Sequence, residues 1–154
     1  MDLPSDLIDL LAEFEAAGVE FLVVGGQALA LHGHPRFTKD ADLWLRDEPS
    51  NLQRAIEALR TFGAPQSTID ALLPAQPLDV VWMGRPPMRI DLMKGVPGGD
   101  FENAWRDRKR FVLQGVTVPV VSQRELIRLK RASGRPQDLL DADLLEEAMA
   151  GEKG

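Results

Sequence analysis

The segment Asp40-Ala41-Asp42-Leu43-Trp44-Leu45 constrains the fold of this 154-residue chain more than any other. Its bulky apolar residues read as a strand, and a strand sends alternate side chains to opposite faces. Ala41, Leu43 and Leu45 then share one face, and Asp40, Asp42 and Trp44 share the other. The first set requires a core. The second projects two carboxylates from Cα atoms about 6–7 Å apart, close enough for each to raise the other's pKa. Two readings account for the pair. Either it lies on the solvated face of an edge strand, beside Arg36, Lys39 or Arg89, or it converges on a divalent cation, for which carboxylate oxygens are hard ligands.

A third acid, Asp91, stands between apolar neighbours in Met88-Arg89-Ile90-Asp91-Leu92-Met93, a second strand pattern. If the two strands are adjacent, three carboxylates meet on one face and suit a two-metal phosphoryl-transfer site. Asp79, between Leu78 and Val80, is a rival for the third position that spacing alone does not exclude.

Upstream, Phe21-Leu22-Val23-Val24 reads as a central strand, broken by Gly25-Gly26 and followed by a short helix from Gln27 to Leu31. Glycine lets another group approach the backbone closely, and the amides that open a helix attract anions. A tight strand-to-helix turn explains two glycines equally well.

The remaining pattern alternates helices and strands. Leu3, Leu7, Leu10, Leu11 and Phe14 mark a helix that ends by Gly18, and Leu52, Ile56 and Leu59 another that stops at Gly63. Leu78–Met83 and Met88–Met93 form an expected hairpin, as do Arg110–Leu113 and Val116–Val121 around Gln114-Gly115. Ser122 with Glu125 gives a capping box for a helix to about Ala132, and Pro136 opens a last helix through Met149. Trp82 and Trp105 read as core. One mixed α/β domain of residues 1–154 is expected, with its sheet core at about 19–121 and C-terminal helices at about 122–149.

Composition narrows the chemistry. The absence of cysteine excludes disulfides and thiolate sites, and two histidines, His32 and His34, exclude a multi-histidine metal centre. A net charge of −6 argues against broad, non-specific nucleic-acid binding. The charge is uneven, however: residues 1–20 are acidic, whereas the stretch from Arg106 to Arg135 is rich in arginine and lysine. The acidic, helix-periodic N-terminus does not read as a signal peptide, and no apolar run approaches membrane-spanning length. A cytoplasmic protein, not a membrane one, is expected.

An apolar strand, Gly25-Gly26, a short helix and an apolar-flanked Asp40-x-Asp42, with Asp91 on a later strand, resemble the nucleotidyltransferase superfamily of the DNA polymerase β type. The stretches RIDLM, FENAW and GVTVPVVSQRELIRLKRASGRPQDLLDADLL look like the C-terminal part of small bacterial members related to abortive-infection nucleotidyltransferase toxins. The likeness runs from Phe21 to about Leu145, and favours Asp91 over Asp79. It departs at Gln27, where many members carry Ser or Thr.

The resemblance implies an α+β nucleotidyltransferase fold, a mixed β-sheet with helices packed on one face and a C-terminal helical segment. It implies transfer of NMP from an NTP to a hydroxyl acceptor, with Asp40, Asp42 and Asp91 as catalytic residues and ligands of two Mg²⁺ or Mn²⁺ ions. Gly25 and Gly26 would receive the phosphates. Lys130 and Arg135 would approach them, with Asp138 holding Arg135. Arg36, at the expected mouth of the site, would neutralise a triphosphate. The acceptor is left open between tRNA or other RNA, protein and small molecule, and a cognate protein partner, as in a toxin–antitoxin pair, or a homodimer is compatible. The alternatives are a catalytically silent binding module of the same fold and a metal-dependent phosphohydrolase.

Overall fold

A strand that is apolar at every position needs neighbours on both faces. Phe21–Val24 (β1) finds them in the interior of the sheet. The computed structural model describes residues 3–34, 40–85 and 88–153. Within them the order is α1 (Ser5–Ala17), β1, α2 (Gly25–Leu31), β2 (Asp40–Leu45), α3 (Pro49–Phe62), α4 (Gln66–Leu72), β3 (Val81–Arg85) and β4 (Met88–Met93). It continues with α5 (Phe101–Arg106), β5 (Lys109–Leu113), β6 (Val116–Val120), α6 (Gln123–Ser133) and α7 (Pro136–Lys153). Among the described residues the strands form one mixed, six-stranded sheet in the order β3-β4-β2-β1-β6-β5. The architecture is α+β, as the sequence implied.

Register assigns the faces. β1 pairs antiparallel with β2, setting Phe21 opposite Leu45 and Val23 opposite Leu43. β4 runs parallel to β2, with Ala41 beside Ile90 and Leu43 beside Leu92. These residues make one continuous apolar surface, and Phe14 of α1 packs edge-on against Phe21 at 5.1 Å. Leu10, Leu11 and Phe14 of α1 and Leu59 of α3 are wholly buried in the same cluster. The opposite face carries Asp42 beside Asp91, Asp40 beside Arg89, and Val24 opposite Asp42.

Helix ends follow local chemistry. Gly18, Gly63 and Gly134 close α1, α3 and α6 in the left-handed conformation that glycine adopts without strain. The Ser122 hydroxyl accepts the Glu125 amide at 3.1 Å and opens α6, while the Glu125 carboxylate turns instead to Arg128.

Three expectations are corrected. β3 starts at Val81, because Leu78 and Val80 are exposed and Asp79 lies in a turn where its carboxylate accepts the Gln76 amide at 3.0 Å. Trp82 is 57% exposed, since β3 is an edge strand with no neighbour beyond it among the described residues. α7 continues past Met149 to Lys153, and Gln66–Leu72 adds a two-turn helix, α4.

Candidate active site

The alternation that puts Ala41 and Leu43 in the core directs Asp40 and Asp42 away from it, and the parallel register of β4 brings Asp91 alongside Asp42. The Asp42 and Asp91 carboxyls are close enough to hydrogen bond. Burial, the charge of Asp91 and the charge of Asp40, in that order, push the Asp42 carboxyl up to about 7; Arg135 opposes them. A carboxyl in that state holds a proton near neutrality until another cation replaces it.

Gly25 explains how Asp42 fits. Its φ is +69°, and a Cβ there would stand 2.1 Å from Asp42 Oδ2. Only glycine combines that backbone conformation with so close a carboxylate. Gly26 follows in the first turn of α2, so the strand-to-helix junction lies against the carboxylates. Asp40, Asp42, Asp91 and Gly25 open into one cleft of about 580 Å³, a size that suits a nucleotide.

The facing wall comes from α6 and the start of α7, through Lys130, Ser133, Arg135 and Asp138. The Lys130 ammonium is buried and paired with Asp141 Oδ2 at 3.2 Å and Asp138 Oδ1 at 3.5 Å. Ser133 Oγ donates to Asp138 Oδ2 at 2.6 Å, and Arg135 Nε donates to the same oxygen at 2.9 Å. Burial pushes Asp138 upward, but Ser133, Lys130 and Arg135 together hold its carboxyl below the ordinary range. Arg135 itself remains 78% exposed by side chain, so it is the cation of this wall that a ligand meets.

Sequence reasoning missed the apolar flank of the cleft and weighed Arg89 only as a partner for Asp40 and Asp42, not for Asp91. Arg89 donates from Nε to Asp91 Oδ1 at 2.7 Å while its guanidinium lies 5.1 Å from the Trp82 ring centre. The signal was present, because Arg89 and Asp91 are two apart on a strand and therefore share a face. Leu78, Val80, Met93, Leu126 and Leu129 give the cleft an apolar flank. Trp44 is buried on the carboxylate side, edge-on to Phe101 at 5.2 Å, which matches a packing role. His32 donates from Nε2 to the Val121 carbonyl at 2.7 Å and is thereby a structural residue. Arg36 lies outside the described residues.

Among the described residues, no group of three or more Asp, Glu or His side chains already forms a metal cage. Asp42 leans on Asp91, and Arg89 engages Asp91 Oδ1. The donor chemistry nonetheless suits a hard cation: three carboxylates line one cleft, and a bound cation would offset the burial and like charge that raise the Asp42 pKa.

With that geometry stated, the likeness to solved structures becomes specific. The chain matches TM1012 of Thermotoga maritima, a protein assigned as a nucleotidyltransferase, at 14% identity and a TM-score of 0.59, over 94% of this chain and 91% of that one. It matches the lincomycin-bound lincosamide antibiotic adenylyltransferase LnuA at 16% identity and 0.60, over 94% and 97%. The chain has the nucleotidyltransferase fold. A third structure of that fold, ANT(2'')-Ia in complex with adenylyl-2''-tobramycin, matches at 14% identity and 0.57, over 96% and 89%. No family sequence model matches the chain, and no curated protein matches it. The fold that the sequence resemblance implied is therefore present in the backbone, at 14–16% identity to these structures.

Proposed function

We propose that this protein is a nucleotidyltransferase that transfers NMP from an NTP to a hydroxyl acceptor at the Asp40–Asp42–Asp91 cleft. The observation that carries the reading is the Asp42–Asp91 pair beneath the Gly25 backbone, an acidic cluster set at a strand-to-helix junction. One or two divalent cations, Mg²⁺ or Mn²⁺, held by Asp40, Asp42 and Asp91 would supply charge stabilisation to the phosphoryl oxygens. The triphosphate lies against Gly25 and Gly26, with Arg135 on the opposite wall. Lys130 acts through the carboxylates it binds, fixing Asp138 so that Asp138 fixes Arg135. Arg89 holds the Asp91 carboxylate in one orientation, ready to take the acceptor's proton. The acceptor oxygen bonds to the α-phosphorus, the bridging P–O bond breaks, and pyrophosphate leaves.

Support for an adenylyl-type reaction comes from LnuA and ANT(2'')-Ia, adenylyltransferases that share the fold. The test is transfer of label from α-labelled NTPs, with Mg²⁺, to panels of RNA, protein and polyhydroxylated small molecules. Asp42→Ala should reduce transfer by at least ~10³-fold, as expected for loss of a group that stabilises transition-state charge. Transfer unchanged in that variant overturns the assignment of the site.

A further inference from the structure

Helix α6 joins two surfaces of opposite character. Its C-terminal half, with Lys130 and Ser133, lines the carboxylate cleft, and its first turn lines a separate groove of about 810 Å³. Five bases border that groove, Arg106, Arg108, Lys109, Arg110 and Arg124, against a single acid, Asp107. In a chain of net charge −6 this is a local reversal of sign.

Most described bases outside the groove are ion-paired; the exceptions, Arg54 and Lys94, donate to neutral oxygens of Gly18 and Asn51 and of Leu73 and Ala75. Arg46, Arg60, Arg89, Arg128, Lys130 and Arg131 each pair with an Asp or Glu, as does Arg135. Among the described residues, the five around the groove make no ion pair. Their hydrogen bonds go to neutral acceptors: Arg106 to the Asn103 side chain at 3.2 Å and Arg108 to the Trp105 carbonyl at 2.8 Å. Burial and then the charge of Arg110 lower the Arg108 pKa, and Glu20 only partly offsets them.

Aromatic surface is interleaved with this charge. Phe111 packs edge-on to His32 at 5.6 Å, both lining the groove, and the Arg108 guanidinium is backed by Trp105, 3.8 Å from its ring centre. Gln123 lines it too, and its amide oxygen is buried with no hydrogen-bond partner among the described residues, so a turn of the side chain into the groove would give it a donor. Unpaired cations with aromatic rings between them suit a nucleic-acid strand, and a ribose hydroxyl is a donor that DNA sugar lacks. A flat anionic bilayer cannot follow a concave surface.

We infer that this groove binds the phosphodiester backbone of an RNA strand, whose end reaches the carboxylate cleft at the far end of α6. The eleven residues of α6 set the two surfaces roughly 16 Å apart. The RNA is then the nucleotide acceptor, and that last step alone rests on the transfer reading above.

Fluorescence anisotropy with a 5′-labelled unstructured 20-nucleotide RNA, without NTP or Mg²⁺, tests the groove. Wild-type affinity should fall about 50- to 130-fold between 50 and 200 mM KCl, the loss expected for four or five phosphate contacts. The double variant Arg110→Glu/Arg124→Glu should bind at least tenfold more weakly, while Arg60→Glu, on α3, binds as wild type. Should the double variant fail to fold, the single Lys109→Glu is read in the same way. Equal RNA affinity in the groove variant and wild type overturns the inference. So does tighter binding of the same-sequence DNA, or binding of phosphatidylglycerol vesicles in place of RNA. Calorimetry of Mg²⁺-dependent NTP binding separates the two readings: NTP binding without RNA binding removes the groove alone, and RNA binding without NTP binding removes the transfer reading alone.

Discussion

The two ends of α6 handle charge in opposite ways. In the cleft, Asp42 is forced against Asp91 and Asp40 and rises to about 7, while on the facing wall Lys130 is buried between two carboxylates. In the groove, Arg106, Lys109, Arg110 and Arg124 stand in solvent with no anionic partner among the described residues. Buried charge must be compensated within the protein, so the cleft is a network whose members depend on one another. Exposed charge is already solvated, so the groove's cations cost the fold little and keep their attraction for a ligand. The teaching of the comparison is that stability and ligand binding should respond to substitution in opposite orders at the two sites.

Lys130→Met breaks the contrast most severely. It removes the ammonium buried against Asp141, while Asp138 keeps Arg135 and Ser133, and should destabilise the fold by about 3 kcal/mol, measured by urea unfolding. Gly25→Ala comes next, at about 2 kcal/mol, since the new methyl collides with Asp42 Oδ2 and the φ of +69° disfavours a side chain. A crystal structure of that variant should show Asp42 displaced.

Asp42→Asn sharpens the comparison through pH. The ordinary carboxyl value is 3.8 and the folded value about 7, so the folded state binds more protons between them. Stability tied to this group is full below about pH 4 and is lost as pH rises through 7. The variant should therefore gain stability over wild type at pH 8 and gain little at pH 5. The difference is on the order of 1–2 kcal/mol after discounting for partial exposure. Thermal melts at the two pH values measure it. The smallest effect is expected in the groove: Arg110→Glu/Arg124→Glu should change stability by less than about 0.5 kcal/mol, because exposed, unpaired charges hold nothing in place.

Much of the cleft could be read in the residues because strand periodicity is a local rule. Asp40 and Asp42 had to share a face once Ala41 and Leu43 were given to the core, and Gly25 had to permit close approach to something. Asp79 and Asp91 were harder to separate, since both sit between apolar residues. Leu78 and Val80 looked like strand, yet among the described residues the sheet has one more strand beyond β4, which starts at Val81 and leaves both exposed. Trp82 was misplaced for the same reason: apolar character does not say whether a strand is central or at the edge. The groove was visible only as a basic stretch, because its cations come from α5, β5 and the start of α6.

The sequence alone determined which side chains share a face and where helices begin and end, because φ/ψ preferences, capping and two-residue alternation act over a few neighbours. Tertiary structure decided which charges meet. The parallel register of β2 and β4 set Asp91 beside Asp42, and the packing of α7 on α6 gave Lys130 its two carboxylates. Coulomb energy and desolvation depend on distances and burial between segments remote in the chain, so they exist only once the chain has folded.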